Sequence, residues 1–253
     1  KIILDKTLND PSTKKAEAYF YLGEIYSEMN KLDSAGMYYD MGLQADPLYP
    51  YNSIGKGKLM LKNNKKEAEA LFKAVIKSDK KNPEIYLAIS KAYYENVMPE
   101  YQKYLDKALD ADKEYAPIYV FEGDILVKDK KYGEACGFYE MAQNFDENCL
   151  EAYVKYSNIY FPINASLAIA KLEDLLKLKP NSAIAQRELA EAYFKDSKYN
   201  QAVEAYARYM ANPNHFESDQ SRYAALLFFD KKYQESLDLS LIHISEPTRH
   251  AQI

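Results

Sequence analysis

Apolar and polar residues alternate along this chain with the period of an α-helix, and the helices so marked come in pairs. In IYVFEGDILVKDKKYGEACGFYEMAQNFD, residues 118–146, Tyr119, Glu122, Gly123 and Leu126 recur at intervals of three and four and share one helix face. Ala135, Tyr139 and Ala142 do the same in the second half, and the polar run from Asp129 to Tyr132 makes a tight turn between the halves. Large residues facing small ones let two helices approach closely. A single hairpin cannot bury such a face alone, so the rest of the chain is expected to supply more.

It does. Counting from Ala35, the equivalent positions are Ala68, Tyr101, Ala135, Ala168, Ala202 and Ser236, separated by 33, 33, 34, 33, 34 and 34 residues. That period predicts an all-α fold, an α-solenoid of stacked antiparallel helix hairpins. Complete pairs are expected over 16–45, 51–77, 83–111, 118–146, 150–178 and 183–210, with a truncated seventh, so that the array spans 16–238. The second pair has the weakest first helix, because Gly55 and Gly57 each cost about 1 kcal/mol of helix propensity relative to Ala. The third and fifth pairs lose a residue at the turn and carry Pro99 and Pro162 there, which predicts a different hairpin angle at both. The polar connector ANPNHFESDQS reads as a loose link before the last pair. Residues 1–15 read as the second helix of a truncated upstream pair with its connector. From Leu239 the periodicity breaks, and Leu239 to Arg249 resembles a translated sequencing adapter, which makes 239–253 a non-native tail.

Composition narrows the function. Twenty-five Tyr and no Trp at helical spacing fit rings packed with their hydroxyls at the rim. A formal charge of −5 argues against a general attraction to nucleic acid, and no apolar run approaches the roughly 20 residues of a membrane span. Cys136 and Cys149 are separated by most of a helix, too far for a disulfide, and read as free thiols that mildly favour a reducing compartment. The N-terminus carries no leader pattern but begins mid-element, so cytoplasm and periplasm are both open.

These residues resemble the tetratricopeptide repeat, a helical hairpin with a recognisable set of large and small positions. Tyr19, Leu22, Gly23, Tyr26, Ala35, Tyr39, Gly42 and Pro47 match it, as do Tyr119, Gly123, Leu126, Ala135, Tyr139 and Ala142, and then Leu189, Ala190, Tyr193, Ala202 and Tyr206. Tyr101 departs from it, standing where a small residue belongs. The resemblance implies a right-handed superhelix whose first helices line a concave groove that binds polypeptide.

The residues themselves outline such a face. Opposite the packing side of the first helices run two mostly apolar columns: Phe20, Ile54, Leu87, Val120, Val154 and Arg187, and Ser27, Leu61, Tyr94, Val127, Phe161 and Phe194. Between them lie Glu24, Lys58, Lys91, Asp124, Asn158 and Glu191. Apolar stripes beside a polar one suit a peptide with apolar anchors; the same columns could equally pack one repeat on the next. Loss of capture without loss of helicity in Leu87→Asp and Val120→Asp would favour binding, and loss of folding would favour packing. The carboxylate-gripping mode of some repeats is not expected, because Phe20 and Glu24 stand where Lys and Asn would be needed. Asn158 and Arg187 could face a carboxylate.

Nothing marks an active site, a cofactor or a metal. His215 reads as a solvated loop residue, the glycine-rich phosphate loop is missing its Lys-Ser/Thr pair, and the carboxylates and Lys pairs such as Lys65-Lys66 read as solvated surface. Two functions remain: a non-catalytic scaffold with a protein or peptide partner, or the sensor or docking region of a larger signalling enzyme or regulator.

Overall fold

The computed structural model describes residues 14–245, with side chains described through Ser240. Fourteen α-helices in seven consecutive hairpins make up the described residues, which contain no strand. They are α1 (Lys15–Glu28), α2 (Leu32–Ala45), α3 (Pro50–Met60), α4 (Lys65–Ser78), α5 (Pro83–Glu95), α6 (Glu100–Ala111), α7 (Ala116–Lys128), α8 (Tyr132–Phe145), α9 (Leu150–Tyr160), α10 (Ala165–Leu178), α11 (Ala183–Lys195), α12 (Tyr199–Met210), α13 (Gln220–Phe229) and α14 (Tyr233–Ser245). The chain forms two compact units that meet within α7, one ending at Ile118 and the other starting at Tyr119. In the first, α1 packs on α2, α3 on α4 and α5 on α6, while α2 meets α3, α4 meets α5, and α1, α3 and α5 touch in succession. In the second, α9–α10, α11–α12 and α13–α14 pair, and α8–α9, α10–α11 and α12–α13 join successive hairpins. This is the stacked-hairpin α-solenoid that the 33–34-residue period predicts.

The period is written in burial. Ala35, Ala68, Ala135, Ala168 and Ala202 are all 0% exposed. Tyr101, too large for that place, is half-buried with its ring edge-on to Tyr94 at 5.1 Å. Four residues beyond each alanine comes a large buried residue: Tyr39, Phe72, Tyr139 and Tyr206, with Leu105 and Leu172 in the third and fifth hairpins. Glycines of the first helices make room for the rings. A Cβ on Gly23 would stand 2.3 Å from the Tyr39 ring, one on Gly57 2.5 Å from Phe72, and one on Gly123 2.4 Å from Tyr139. Gly55 of the next hairpin closes on Tyr39 from the other side, at 2.5 Å. The two glycines that weaken α3 as a helix are thus required by its neighbours. In the two leucine hairpins serine takes the glycine's place, and Ser90 and Ser157 donate to the carbonyls of Tyr101 (2.8 Å) and Ala168 (3.2 Å).

The turns sort differently from the expectation based on proline. Asn30, Val97, Lys130, Ser197 and Lys231 all adopt φ between 56° and 64°. The next amide in each bonds back five residues, from Lys31 to Tyr26, Met98 to Tyr93, Lys131 to Leu126, Lys198 to Tyr193 and Lys232 to Leu227. This left-handed cap ends the first helix by satisfying its last carbonyls. The third hairpin therefore turns like most others despite Pro99. The different pair is the second and fifth, where the amides of Asn64 and Asn164 return to Met60 (2.7 Å) and Tyr160 (2.6 Å). Both have Asn immediately before the second helix, and Asn164 Oδ1 accepts from the Leu167 amide at 3.1 Å. An Asn at this position is common to both turns and a proline is not; Asn164 caps with its side chain, whereas Asn64 Nδ2 donates to Glu67 at 2.5 Å.

The connector after α12 is also tied down, contrary to its loose reading. Asn212 is buried and donates to the Asn181 carbonyl (2.9 Å) and to Gln186 Oε1 (3.1 Å). The Tyr209 hydroxyl accepts from the Phe216 amide at 2.9 Å and donates to Asp219 at 3.0 Å. At the ends, α14 continues past Asp238 to Ser245. The expected upstream helix at 1–10, and residues 246–253 of the expected tail, lie outside the described residues.

Candidate polypeptide-binding groove

In the first unit, the exposed sides of α1, α3 and α5 form a depression lined by Phe20, Glu24, Tyr51, Gly55, Ala88 and Ala92, with Ile54, Lys58, Lys91 and Glu95. It exists because Gly55, Ala88 and Ala92 present little or no side chain there. Phe20 is half-buried in an aromatic group, with its ring 5.6 Å from Tyr51 and 6.3 Å from Tyr49. Of the apolar columns, Ile54 and Leu87 are buried at 5% and 3% exposure and Leu61 at 1%, so these three pack the stack; Ser27 and Tyr94 are half-buried.

The polar column is an ion cluster. Lys58, with 10% of its side chain exposed, reaches Glu24 at 2.8 Å and Glu95 at 3.2 Å. The Tyr39 hydroxyl donates to Glu24 at 2.5 Å. Burial works to lower the Lys58 pKa, but the two carboxylates more than offset it and hold the ammonium above the ordinary lysine range. Burial, then the bond to Glu24, pushes the Tyr39 hydroxyl up. Lys91 is half-buried.

The second unit repeats the motif and fills the space. Asp124 on α7 accepts from the Tyr139 hydroxyl at 2.8 Å and from Lys155 on α9. Glu191 on α11 holds Arg222 on α13 through two bonds of 2.7 and 2.6 Å, and the guanidinium lies 4.5 Å over Phe194. Lys155, Glu188 and Arg222 occupy the column that Gly55 and Ala88 hold in the first unit. Val120 is buried at 2%, Val127, Val154, Phe161 and Phe194 are half-buried, and Asn158 is exposed. Arg187 is committed to Asp219 at 2.6 Å, so it does not stand ready with Asn158 for a carboxylate. Lys155 and Arg222 each lie 31 residues after their acid, a spacing legible in the sequence but missed there.

Two further readings are corrected, those of the Lys pairs with the carboxylates and of His215. Lys65 is paired with Glu100, and the acids of the polar column are engaged, so these are not all merely solvated surface. His215 is half-buried, with Nδ1 2.7 Å from the Asn212 carbonyl and its ring edge-on to Tyr209. Cys136 and Cys149 are free, and burial lifts the Cys136 thiol to about 11, away from the reactive thiolate form. Among the described residues no group of His, Cys, Asp and Glu could hold a metal, and no helix is long and apolar enough to cross a membrane.

A tetratricopeptide-repeat family model matches residues 164–215, which are α10 to α12 with the connector. Those residues are a tetratricopeptide-repeat segment. Solved tetratricopeptide-repeat folds agree. The chain is similar to PilW, a type IV pilus biogenesis factor, at TM-score 0.57 and 17% identity over 78% of this chain and 94% of that one. It is similar to Pseudomonas aeruginosa pilF at TM-score 0.54 and 17% identity, over 76% and 89%. It is also similar to MamA from Desulfovibrio magneticus at TM-score 0.52 and 17% identity, over 68% and 97%. No curated protein sequence matches the chain.

Proposed function

We propose that this tetratricopeptide-repeat chain is an interaction scaffold, with no chemistry of its own, that holds a polypeptide segment in the α1–α3–α5 groove. The observation that carries this reading is the small-residue floor of Gly55, Ala88 and Ala92 beside the Phe20 and Tyr51 rings. A shallow apolar floor admits a main chain, and aromatic rings offer contact area at little entropic cost. Glu24 and Glu95 balance Lys58 and Lys91, so shape and apolar anchors set the preference more than net charge does. In the second unit, Asp124, Arg187 and Glu191 contribute mainly to holding successive hairpins in register.

The test replaces Tyr51, on the groove, with a photoreactive phenylalanine and compares it with the same replacement at Lys73, an exposed residue of α4. Irradiation in cells of the source organism should join polypeptide to position 51 and not to 73. Equal labelling at both positions, or capture of nucleic acid at 51, would sink the proposal.

A further inference from the structure

The first helices carry a tyrosine column that breaks in the sixth hairpin. Four residues before Gly23, Ser90, Gly123 and Ser157 stand Tyr19, Tyr86, Tyr119 and Tyr153, but four before Ala190 stands Gln186. The tyrosine rings lie on the second helices of their own hairpins. Tyr19 meets Tyr38 at 6.4 Å, Tyr119 meets Phe145 at 4.9 Å, and Tyr153 shares an apolar cluster with Leu175. Tyr86 adds a cation, with the Lys107 ammonium of α6 6.0 Å over its ring. Its hydroxyl donates to the Lys80 carbonyl, six residues back, at 2.9 Å.

Gln186 keeps that bond without the ring. Its Nε2 donates to the Pro180 carbonyl, again six residues back, at 2.7 Å, and its Oε1 accepts from Asn212. Beside it a cleft of about 340 Å³ opens among α10, α11 and α12, walled by Leu176, Pro180, Leu189 and Tyr193. That exceeds the roughly 150 Å³ that admits a benzene molecule. Arg208 on α12 also lines the cleft and is the counterpart of Lys107, each six residues after its ladder position, Ala202 or Tyr101. The neighbouring polar groups are engaged: the Tyr193 hydroxyl donates to Glu173, and Lys177 pairs with Asp174 at 2.8 Å. Arg208 is exposed and makes no ion pair or hydrogen bond among the described residues. Ser53 and Gln220 also lack the ring, but Ala74 and Ile242 stand at the Arg208 place in their hairpins. The sixth hairpin alone joins a missing ring to a cation.

We propose that this cleft receives an aromatic side chain of a partner polypeptide, seated below the Arg208 guanidinium as Tyr86 is seated below Lys107. The guest supplies what the hairpin lacks, a ring against Leu176, Leu189 and Tyr193 with a cation over its face. The cleft is built from the second unit alone, so this inference does not rest on the α1–α3–α5 groove.

The chain contains no Trp, so the emission of an indole-bearing probe reports the probe alone. Acetyl-glycyl-tryptophyl-glycinamide, titrated with the intact chain, should shift its emission to the blue and saturate. The peptide with phenylalanine in place of tryptophan should displace it, and the peptide with alanine should not. Gln186→Tyr supplies the ring from within and should weaken binding at least about tenfold, with folding checked by circular dichroism. Arg208→Gln, at an exposed residue, should weaken binding about threefold, and it carries the test if Gln186→Tyr does not fold. Ala88→Lys, in the groove of the first unit, should leave binding unchanged. A parent chain that gives no saturable shift overturns the proposal, as does full binding to a folded Gln186→Tyr or to Arg208→Gln, or loss of binding in Ala88→Lys. So does self-association of the parent that Gln186→Tyr removes, which would put the ring of a second copy in the cleft.

Discussion

The two units build the same first-helix face from the same repeat and put it to different uses. In both, a buried tyrosine of a second helix, Tyr39 or Tyr139, donates to an acid fifteen residues earlier, Glu24 or Asp124, and that acid holds a lysine of the following hairpin. The difference lies one column over. The first unit has Gly55 and Ala88 there and leaves a groove, whereas the second has Lys155, Glu188 and Arg222 and spends the space on ion pairs and a cation over Phe194. Repeat architecture fixes where a groove can be. Side-chain size in a single column decides whether it is open.

The shared frame should be the costliest thing to break. Gly23→Val forces two extra methyls and a Cβ against Tyr39 and should destabilise the first unit by about 3 kcal/mol in urea denaturation. Gly137→Ala, where an added Cβ meets nothing within 4 Å, should instead stabilise by up to about 1 kcal/mol. Two substitutions with the same sign would show that the ring-on-glycine contact is not what holds the hairpins.

Next come the ion clusters. Lys58→Met leaves Glu24 facing Glu95 in a partly buried place and should cost about 2 kcal/mol, while Lys155→Met, where all partners are more exposed to water, should cost about 1 kcal/mol. Equal losses would mean that burial does not distinguish the two units.

The tyrosines give a smaller and pH-selective effect. Burial and the nearby carboxylates raise the hydroxyl pKa of Tyr39 and Tyr139 above the ordinary 10.0. The folded state therefore keeps these protons longer than the unfolded chain does. Their contribution is fully present below pH 10 and is lost as pH rises above it. Urea midpoints should fall above pH 10, and Tyr39→Phe with Tyr139→Phe should flatten that fall; an unchanged slope would contradict the linkage.

Much of this was legible in the sequence, because the frame is local and periodic. The hairpin spans, the alanine ladder, and the tyrosine and glycine partners all follow from spacing, since residues 33 or 34 apart meet the same surroundings. What the sequence hid depends on partners far apart in the chain or on geometry that periodicity does not encode. Pro99 and Pro162 suggested a shared turn, but the backbone hydrogen bonds follow Asn64 and Asn164. The connector after α12 looked loose because its polar residues are plentiful, yet Asn212 and Tyr209 use that polarity to bind it down. Lys155 and Arg222 do not stand out in the sequence because they occupy one column and their acids, Asp124 and Glu191, another. Ile54, Leu87 and Val120, which alternation alone placed with either the groove or the stack, are buried.

The central claim, that the open column of the first unit is the binding groove, is tested most directly by copying the closed column into it. Peptides selected on the intact chain from a displayed random library would be measured by titration against Ala88→Lys, which introduces at α5 the residue found at the same register on α9. The account predicts an affinity loss of at least about tenfold with the urea midpoint unchanged, and no loss for Lys155→Met. Undiminished binding to Ala88→Lys would contradict it.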